Sequence, residues 1–254
     1  MSVSPQEAIL SARGLTKEFF GFTAVNSVDL DVRENTIHAL IGPNGAGKTT
    51  VFNLLTKFLT PTSGTITFRG KDITKVKPAD VARLGLVRSF QISAGFPHLT
   101  VLDNVRVAVE RKAHLGTQFW RSNRVLHTLD DRAHELIDAV GLAEYANLDA
   151  AELSYGRKRA LEIATTLALD PPVLLFDEPM AGMGIEDIGR ISALIKRIAK
   201  DRTVVMVEHN LNVVADLCDY VTVLARGEIL AEGDYETVGS APRVREAYMG
   251  SEDD

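Results

Sequence analysis

The chain has 254 residues, 45% hydrophobic and 24% charged, which is enough apolar side chain for a full core and too much for a disordered chain. A formal net charge of −6 argues against a protein that holds nucleic acid through its overall charge. The single cysteine, Cys218, excludes an intramolecular disulfide, and no apolar run approaches the roughly 18 residues of a membrane-spanning helix.

The opening MSVSPQEAILSARG has neither a cationic start nor a sustained apolar stretch, so it is not expected to be a signal peptide. From there AILSARGLTKEF (8–19), SVDLDV (27–32) and GTITFRG (64–70) alternate apolar and polar residues and predict an antiparallel layer, with PTSG (61–64) as a turn. IHALI (37–41), VLLF (173–176) and VVMV (204–207) are short apolar runs, each followed by a polar loop and a helical pattern, which predicts strands of a buried parallel sheet. VRSF (87–90) is strand-like too.

Between about 100 and 169 the pattern turns helical. TVLDNVRVAVERKAH opens with Thr100 and Asp103 in a variant capping box, and VLHTLDDRAHELIDAVGL (125–142) follows. LSYGRKRALEIA (153–164) sets a serine and a glycine before a run that keeps Ala160, Ile163, Ala164 and Leu167 on one face, an anion-binding type of helix start. AHLGTQFWRSN (113–123), with Trp120, has no clear period. Leu211, Val214, Leu217 and Val221 surround Cys218 at helical spacing and predict a helix packed on the core, and SEDD (251–254) predicts a frayed end.

Gly42-Pro43-Asn44-Gly45-Ala46-Gly47-Lys48-Thr49, followed by Thr50, fits the phosphate-binding loop pattern and stands between a predicted strand and a predicted helix. Its glycines let backbone N–H groups wrap phosphates, Lys48 reaches the β and γ phosphates, and the Thr49 hydroxyl suits Mg²⁺. VLLFDEP ends a buried strand with Asp177 and Glu178 at a sheet edge where ligands bind. Asp177 suits the Mg²⁺ shell, and Glu178 suits a base that orients and deprotonates water. By residue type alone His209 is either structural or catalytic, Gln91 has no chemistry of its own, and Phe19, in a predicted loop, is either core or ligand contact.

The ordered set of phosphate loop, Gln91, LSYGR, VLLFDEP and His209 resembles the ATP-binding cassette family along essentially the whole chain. LEIA after the signature and the ending PRVREAYMG (242–250) look like the ATPase subunits of branched-chain amino-acid importers, with lipopolysaccharide-export ATPases as close relatives. The resemblance implies a single α/β nucleotide-binding domain: a P-loop core with a mainly parallel sheet and an antiparallel β-layer over roughly 1–99 and 170–254, and a helical subdomain over roughly 100–169. It implies ATP and Mg²⁺, Phe19 stacked on adenine, Gln91 as sensor of Mg²⁺ and water, and His209 as the γ-phosphate switch. Ser154, Tyr155, Gly156 and Arg157 then form the signature that meets a partner's ATP across a head-to-tail dimer.

Tyr155 and Arg157 depart from the commoner glycine and glutamine, and Gly184 replaces an aspartate that many relatives keep. The loop ISAGFPHLT (92–100) would lie by the groove for the membrane subunit, where Ile92 and Phe96 are either docking or core residues. The implied partners are a second ATPase subunit, identical or related, transmembrane permease subunits and an extracytoplasmic substrate-binding protein. No nucleic acid is expected, and the place is the cytoplasmic face of the membrane, held through the permease. The alternatives are a lipid-export ATPase and a non-transport cassette. For the latter a long coiled-coil insert or a second cassette is missing.

Overall fold

The structure, a computed structural model, describes residues 8–89, 95–112 and 123–249. It has two compact units, one of residues 1–88, 172–179 and 196–254, the other of 89–171 and 180–195. The chain runs through β1 (Ala8–Phe19), β2 (Phe22–Arg33), β3 (Ile37–Ile41), α1 (Lys48–Leu55), β4 (Ser63–Phe68), β5 (Lys71–Asp72), α2 (Pro78–Leu84) and β6 (Leu86–Arg88). Three helices follow, α3 (Val101–Lys112), α4 (Asn123–Ala139) and α5 (Tyr155–Leu167). Then come β7 (Val173–Asp177), α6 (Ile185–Ile198), β8 (Thr203–Val207), α7 (Leu211–Leu217), β9 (Tyr220–Ala225), β10 (Glu228–Gly233), α8 (Tyr235–Ser240) and α9 (Pro242–Met249).

In the first unit the alternating N-terminal segments form an antiparallel sheet of order β2-β1-β4-β5. Phe20 and Gly21, with φ of 47° and 88°, make the two-residue turn between β1 and β2, the left-handed pair that suits the twist of a hairpin. Phe19 is therefore the last residue of a strand, paired with Phe22, and not part of a loop as its sequence context predicts. PTSG is not a reversal between strands either. The Thr62 N–H donates to the Thr16 carbonyl at 2.8 Å, and Ser63 and Gly64 already belong to β4.

The short apolar runs lie in a second sheet of order β10-β9-β3-β8-β7-β6, parallel except for β10. All five residues of β3 and of β8 are buried, which is why their sequences lack alternation. Leu10, Leu15, Leu30, Ile66 and Phe68 of the first sheet share one apolar cluster with Val51, Phe52, Leu54 and Leu55 of α1 and with Leu40, Val173, Val205 and Leu224 of the second. The helix that follows the phosphate loop is thus built into the centre of the core.

Cys218 lies just beyond α7, and Val221 belongs to β9. The helical spacing of Leu211 to Val221 runs across a boundary that long-range bonds set. Asp219 donates its backbone N–H to the Ile37 carbonyl at 2.9 Å and accepts the Ile37 N–H on its carboxylate at 2.8 Å, which turns the chain into β9 beside β3. Burial pushes the Cys218 thiol up to about 12, so it stays protonated and unreactive.

The second unit is helical. Asp103 accepts the Thr100 hydroxyl at 2.7 Å while Thr100 accepts the Asp103 N–H at 3.1 Å, the expected cap of α3. The buried Asn104 side chain then donates to the Phe96, Leu99 and Thr100 carbonyls and accepts the Phe96 N–H, fixing the turn before the helix. In α5 Ala160, Ile163, Ala164 and Leu167 are all buried, as their spacing predicts. Residues 113–122, including Trp120, lie outside the described residues.

Candidate active site

Three adjacent parallel strands, β3, β8 and β7, bring their carboxyl ends to one sheet edge, and each delivers a different kind of group there. β3 runs into the loop Gly42–Gly47 and α1. A Cβ on Gly42 would stand 2.0 Å from the Leu224 carbonyl oxygen, and one on Gly47 would stand 2.7 Å from that of Ala24, so side chains are excluded at both positions. Gly45 and Gly47 have φ of 76° and 101°, the left-handed backbone that turns successive N–H groups inward.

The Lys48 ammonium is largely buried, and its hydrogen bonds go to the Gly42 and Pro43 carbonyls at 2.7 and 2.9 Å. Burial lowers its pKa, and the nearby Glu178 carboxylate works in the opposite direction. A buried cation bonded to neutral carbonyls, at the start of a helix, is a site that an anionic phosphate fits.

β7 ends in Asp177 and Glu178. Glu178 has φ of 45°, uncommon for a residue other than glycine, and its N–H donates to the Val207 carbonyl of β8 at 3.0 Å, which holds the strained turn. Its carboxylate lies 2.7 Å from His209 Nε2, just past β8. The His209 N–H is itself held by the buried Glu208 carboxylate at 3.0 Å, while Asn210 caps α7 by accepting the N–H groups of Asn212 and Val213. A half-exposed carboxylate with an aromatic nitrogen on one oxygen keeps its other oxygen for a water proton.

The Asp177 carboxylate pairs with the guanidinium of Arg88 at the end of β6, and Arg88 also donates to Asn53 Oδ1. Arg88, Glu208 and Asn53 carry no motif signal and escape sequence reasoning. Among the described residues no cluster of three or more His, Cys, Asp or Glu side chains would hold a metal by itself. The exposed Thr49 hydroxyl and Asp177 fit Mg²⁺ in its usual manner in such sites, with one or two protein ligands and the rest phosphate and water.

Phe19, 36% exposed, closes the β1–β2 hairpin with the Lys17 ammonium 5.0 Å from its ring centre. Gln91 and Ile92 lie outside the described residues, whereas Phe96 is 52% exposed and so is not a core residue.

In the second unit Ser154 is the N-cap of α5, yet its hydroxyl makes no capping bond. The first turn of α5 has no acidic residue and carries Arg157, whose guanidinium stacks 4.1 Å from the centre of the Tyr145 ring. Tyr155 is exposed, with Gly182 of the loop after Glu178 against its ring. Gly156 is buried, and a Cβ there would fall 2.3 Å from the Asp187 carboxyl carbon, an acidic neighbour three residues past the glycine at 184.

The ABC transporter family profile matches residues 25–181, more than half of the chain. The chain is 38% identical over 253 residues to the high-affinity branched-chain amino acid transport ATP-binding protein LivG of Salmonella typhimurium, covering 96% of this chain and 98% of that one. It is similar in structure to an ATP-binding cassette of an ABC transporter in its ADP conformation, with TM-score 0.84, 28% identity, and 96% and 99% of the two chains covered. A dimeric bacterial ABC transporter cassette matches with TM-score 0.75 and 25% identity over 89% of this chain and 98% of that one.

Proposed function

We propose that this chain, which belongs to the ABC transporter family of ATP-hydrolysing subunits, drives the import of branched-chain or similar hydrophobic amino acids through separate membrane proteins. The observation that carries the catalytic part is the Glu178–His209 pair, 2.7 Å apart on the sheet edge that also bears the Lys48 loop.

The loop N–H groups from Gly45 to Thr50 bind the phosphates while Lys48 leaves its two carbonyls for the β and γ oxygens. Thr49 and Asp177 would hold Mg²⁺, which neutralises charge between the transferring and leaving phosphates; Asp177 exchanges its contact with Arg88 for that role. Glu178 takes a proton from the attacking water, and His209 fixes the carboxylate and reaches the γ-phosphate. Phe19 stacks on the adenine ring, and Gln91 senses the Mg²⁺ and the water. Ser154, Tyr155, Gly156 and Arg157 meet the ATP of a second subunit, so ATP closes a head-to-tail dimer and hydrolysis reopens it.

No helix among the described residues is long and apolar enough to cross a membrane, which fits work through permease partners at the cytoplasmic face. A substrate-binding protein on the other side completes an importer. The test is to capture the tagged chain from native membranes and reconstitute it with the permeases that accompany it. ATP-dependent uptake of leucine, isoleucine or valine is expected; lipid release without amino-acid uptake would overturn the import reading.

A further inference from the structure

Arg88, the last residue of β6, ties the strand that ends in Asp177 to the helix that carries Thr49. Its Nη2 donates to Asp177 Oδ2 and its Nη1 to Asn53 Oδ1 in α1. Asn53 follows Thr49 by four residues, so the two share one face of α1, a turn apart. The guanidinium carbon also lies 5.8 Å from the Phe52 ring centre and 5.9 Å from that of Phe58. With the side chains of Arg88 and Asp177 14% and 13% exposed, the attraction between them is little screened by solvent.

The guanidinium thus occupies the carboxylate that suits a divalent cation. A metal ion that comes alone has to displace a cationic group and then remain near it, because Asn53 and the two rings keep Arg88 in place after it lets go of Asp177. Phosphates at the Lys48 loop change that balance. Their negative charges favour a doubly charged ion over the singly charged guanidinium.

We infer that Arg88 is a positioning residue that stands in for Mg²⁺ on Asp177, so that the metal binds with ATP and not before it. This rests on the reading of Thr49 and Asp177 as the Mg²⁺ ligands. Arg88→Gln keeps a polar reach to Asn53 and removes the charge, and its effects on metal and on nucleotide run in opposite directions. Without the guanidinium, the Asp177 carboxylate takes a divalent cation in the absence of nucleotide, and the same uncompensated charge repels metal-free ATP. With both ligands bound Arg88 has already left Asp177, so ATP affinity at saturating Mg²⁺ is spared.

The experiment compares the full chain with Arg88→Gln and with the charge-keeping Arg88→Lys. Mn²⁺ binding without nucleotide is read from the electron paramagnetic resonance of the free ion, and ATP affinity is measured in EDTA and in saturating Mg²⁺. Thermal midpoints check the fold, and Arg88→Met takes the place of Arg88→Gln if the latter is unfolded. Arg88→Gln is expected to bind Mn²⁺ about ten-fold or more tightly than wild type, the low end of what an arginine beside a carboxylate changes. Its ATP affinity should fall about three-fold or more in EDTA and stay within about two-fold in Mg²⁺, while Arg88→Lys stays near wild type in all three. Mn²⁺ binding that is unchanged in Arg88→Gln, or that persists when Asp177→Asn is added to it, overturns the inference. So do equal losses of ATP affinity in EDTA and in Mg²⁺, the mark of a merely structural role. If ATP affinity in Asp177→Asn alone still responds to Mg²⁺ as in wild type, the metal-site reading falls and this inference with it. Loss of that response beside an unchanged Arg88→Gln overturns the inference alone.

Discussion

His38, in the middle of β3, offers a pH test of the sheet that carries the phosphate loop. It is fully buried, and its Nε2 lies 2.7 Å from Thr222 Oγ1, which in turn donates to Glu232 Oε1 at 2.7 Å. Because the threonine hydrogen is directed to the glutamate, the imidazole must donate through Nε2–H, leaving Nδ1 bare; Nδ1 is buried without a partner. Protonation would add a charged N–H with no acceptor, and burial first, the Arg33 charge second, lower the His38 pKa from 6.5 to about 3. Above pH 6.5 the residue is neutral in both folded and unfolded chains and has no effect. As the pH falls below 6.5 the unfolded chain gains the proton first, so stability drops until the folded pKa is reached. At pH 5, about 1.5 units down, the loss is about 2 kcal/mol at ~1.36 kcal/mol per unit. Burial raises the Glu232 pKa, and its contribution has the opposite sign, present at low pH and lost as pH rises. His38→Gln keeps a donor for Thr222 and does not titrate, so comparing it with wild type cancels the Glu232 part. Urea unfolding at pH 7.5 and pH 5 should show wild type losing about 2 kcal/mol more than the variant on acidification. Parallel losses in the two proteins would refute the buried neutral tautomer.

Phe19→Ala should weaken ATP and GTP alike by roughly ten-fold or more, the scale of losing one base-stacking contact, with equilibrium binding as the assay; an ATP-specific loss would mean the base is read by hydrogen bonds. The signature role is tested by pairing Lys48→Ala with Ser154→Asp, a substitution that keeps a good N-cap residue but sets a like charge toward phosphate. A mixed dimer with one change in each chain should hydrolyse more ATP than a dimer with both changes in one chain, as tandem-purified complexes would reveal. The reverse order contradicts contact across the dimer. Gly156 is less suited to that test, because a Cβ there would displace the Asp187 carboxylate of its own unit and an aspartate would set a like charge beside it.

What the sequence discloses about this site is what is written locally. The phosphate loop follows a strand and opens a helix within one unbroken stretch from Ile37 to Leu55, and the apolar runs of β3, β7 and β8 announce their own burial. The same holds for the α3 cap, since Thr100 and Asp103 are a single turn apart. Contacts between distant segments stay hidden. Arg88 meets Asp177 across 89 positions of sequence, and neither residue type nor spacing marks the arginine as the partner of that carboxylate. Period alone misleads at Leu211 to Val221, because a helix followed by a strand keeps apolar residues at helical intervals across the break that Asp219 and Ile37 impose. PTSG has turn composition, yet Ser63 and Gly64 pass into a strand once Thr62 is tied to Thr16.

Whether Glu178 is the base of an ATPase built on the Lys48 loop is decided by Glu178→Gln. The amide keeps the size of the side chain and a hydrogen bond to His209 but cannot take a proton from water. ATP turnover by rigorously purified protein should fall about 10²–10⁴-fold, about 3–5 kcal/mol of barrier, while ATP binding is retained and a dimer persists in its presence. Turnover at the wild-type rate in this variant would show that a group other than Glu178 activates the water.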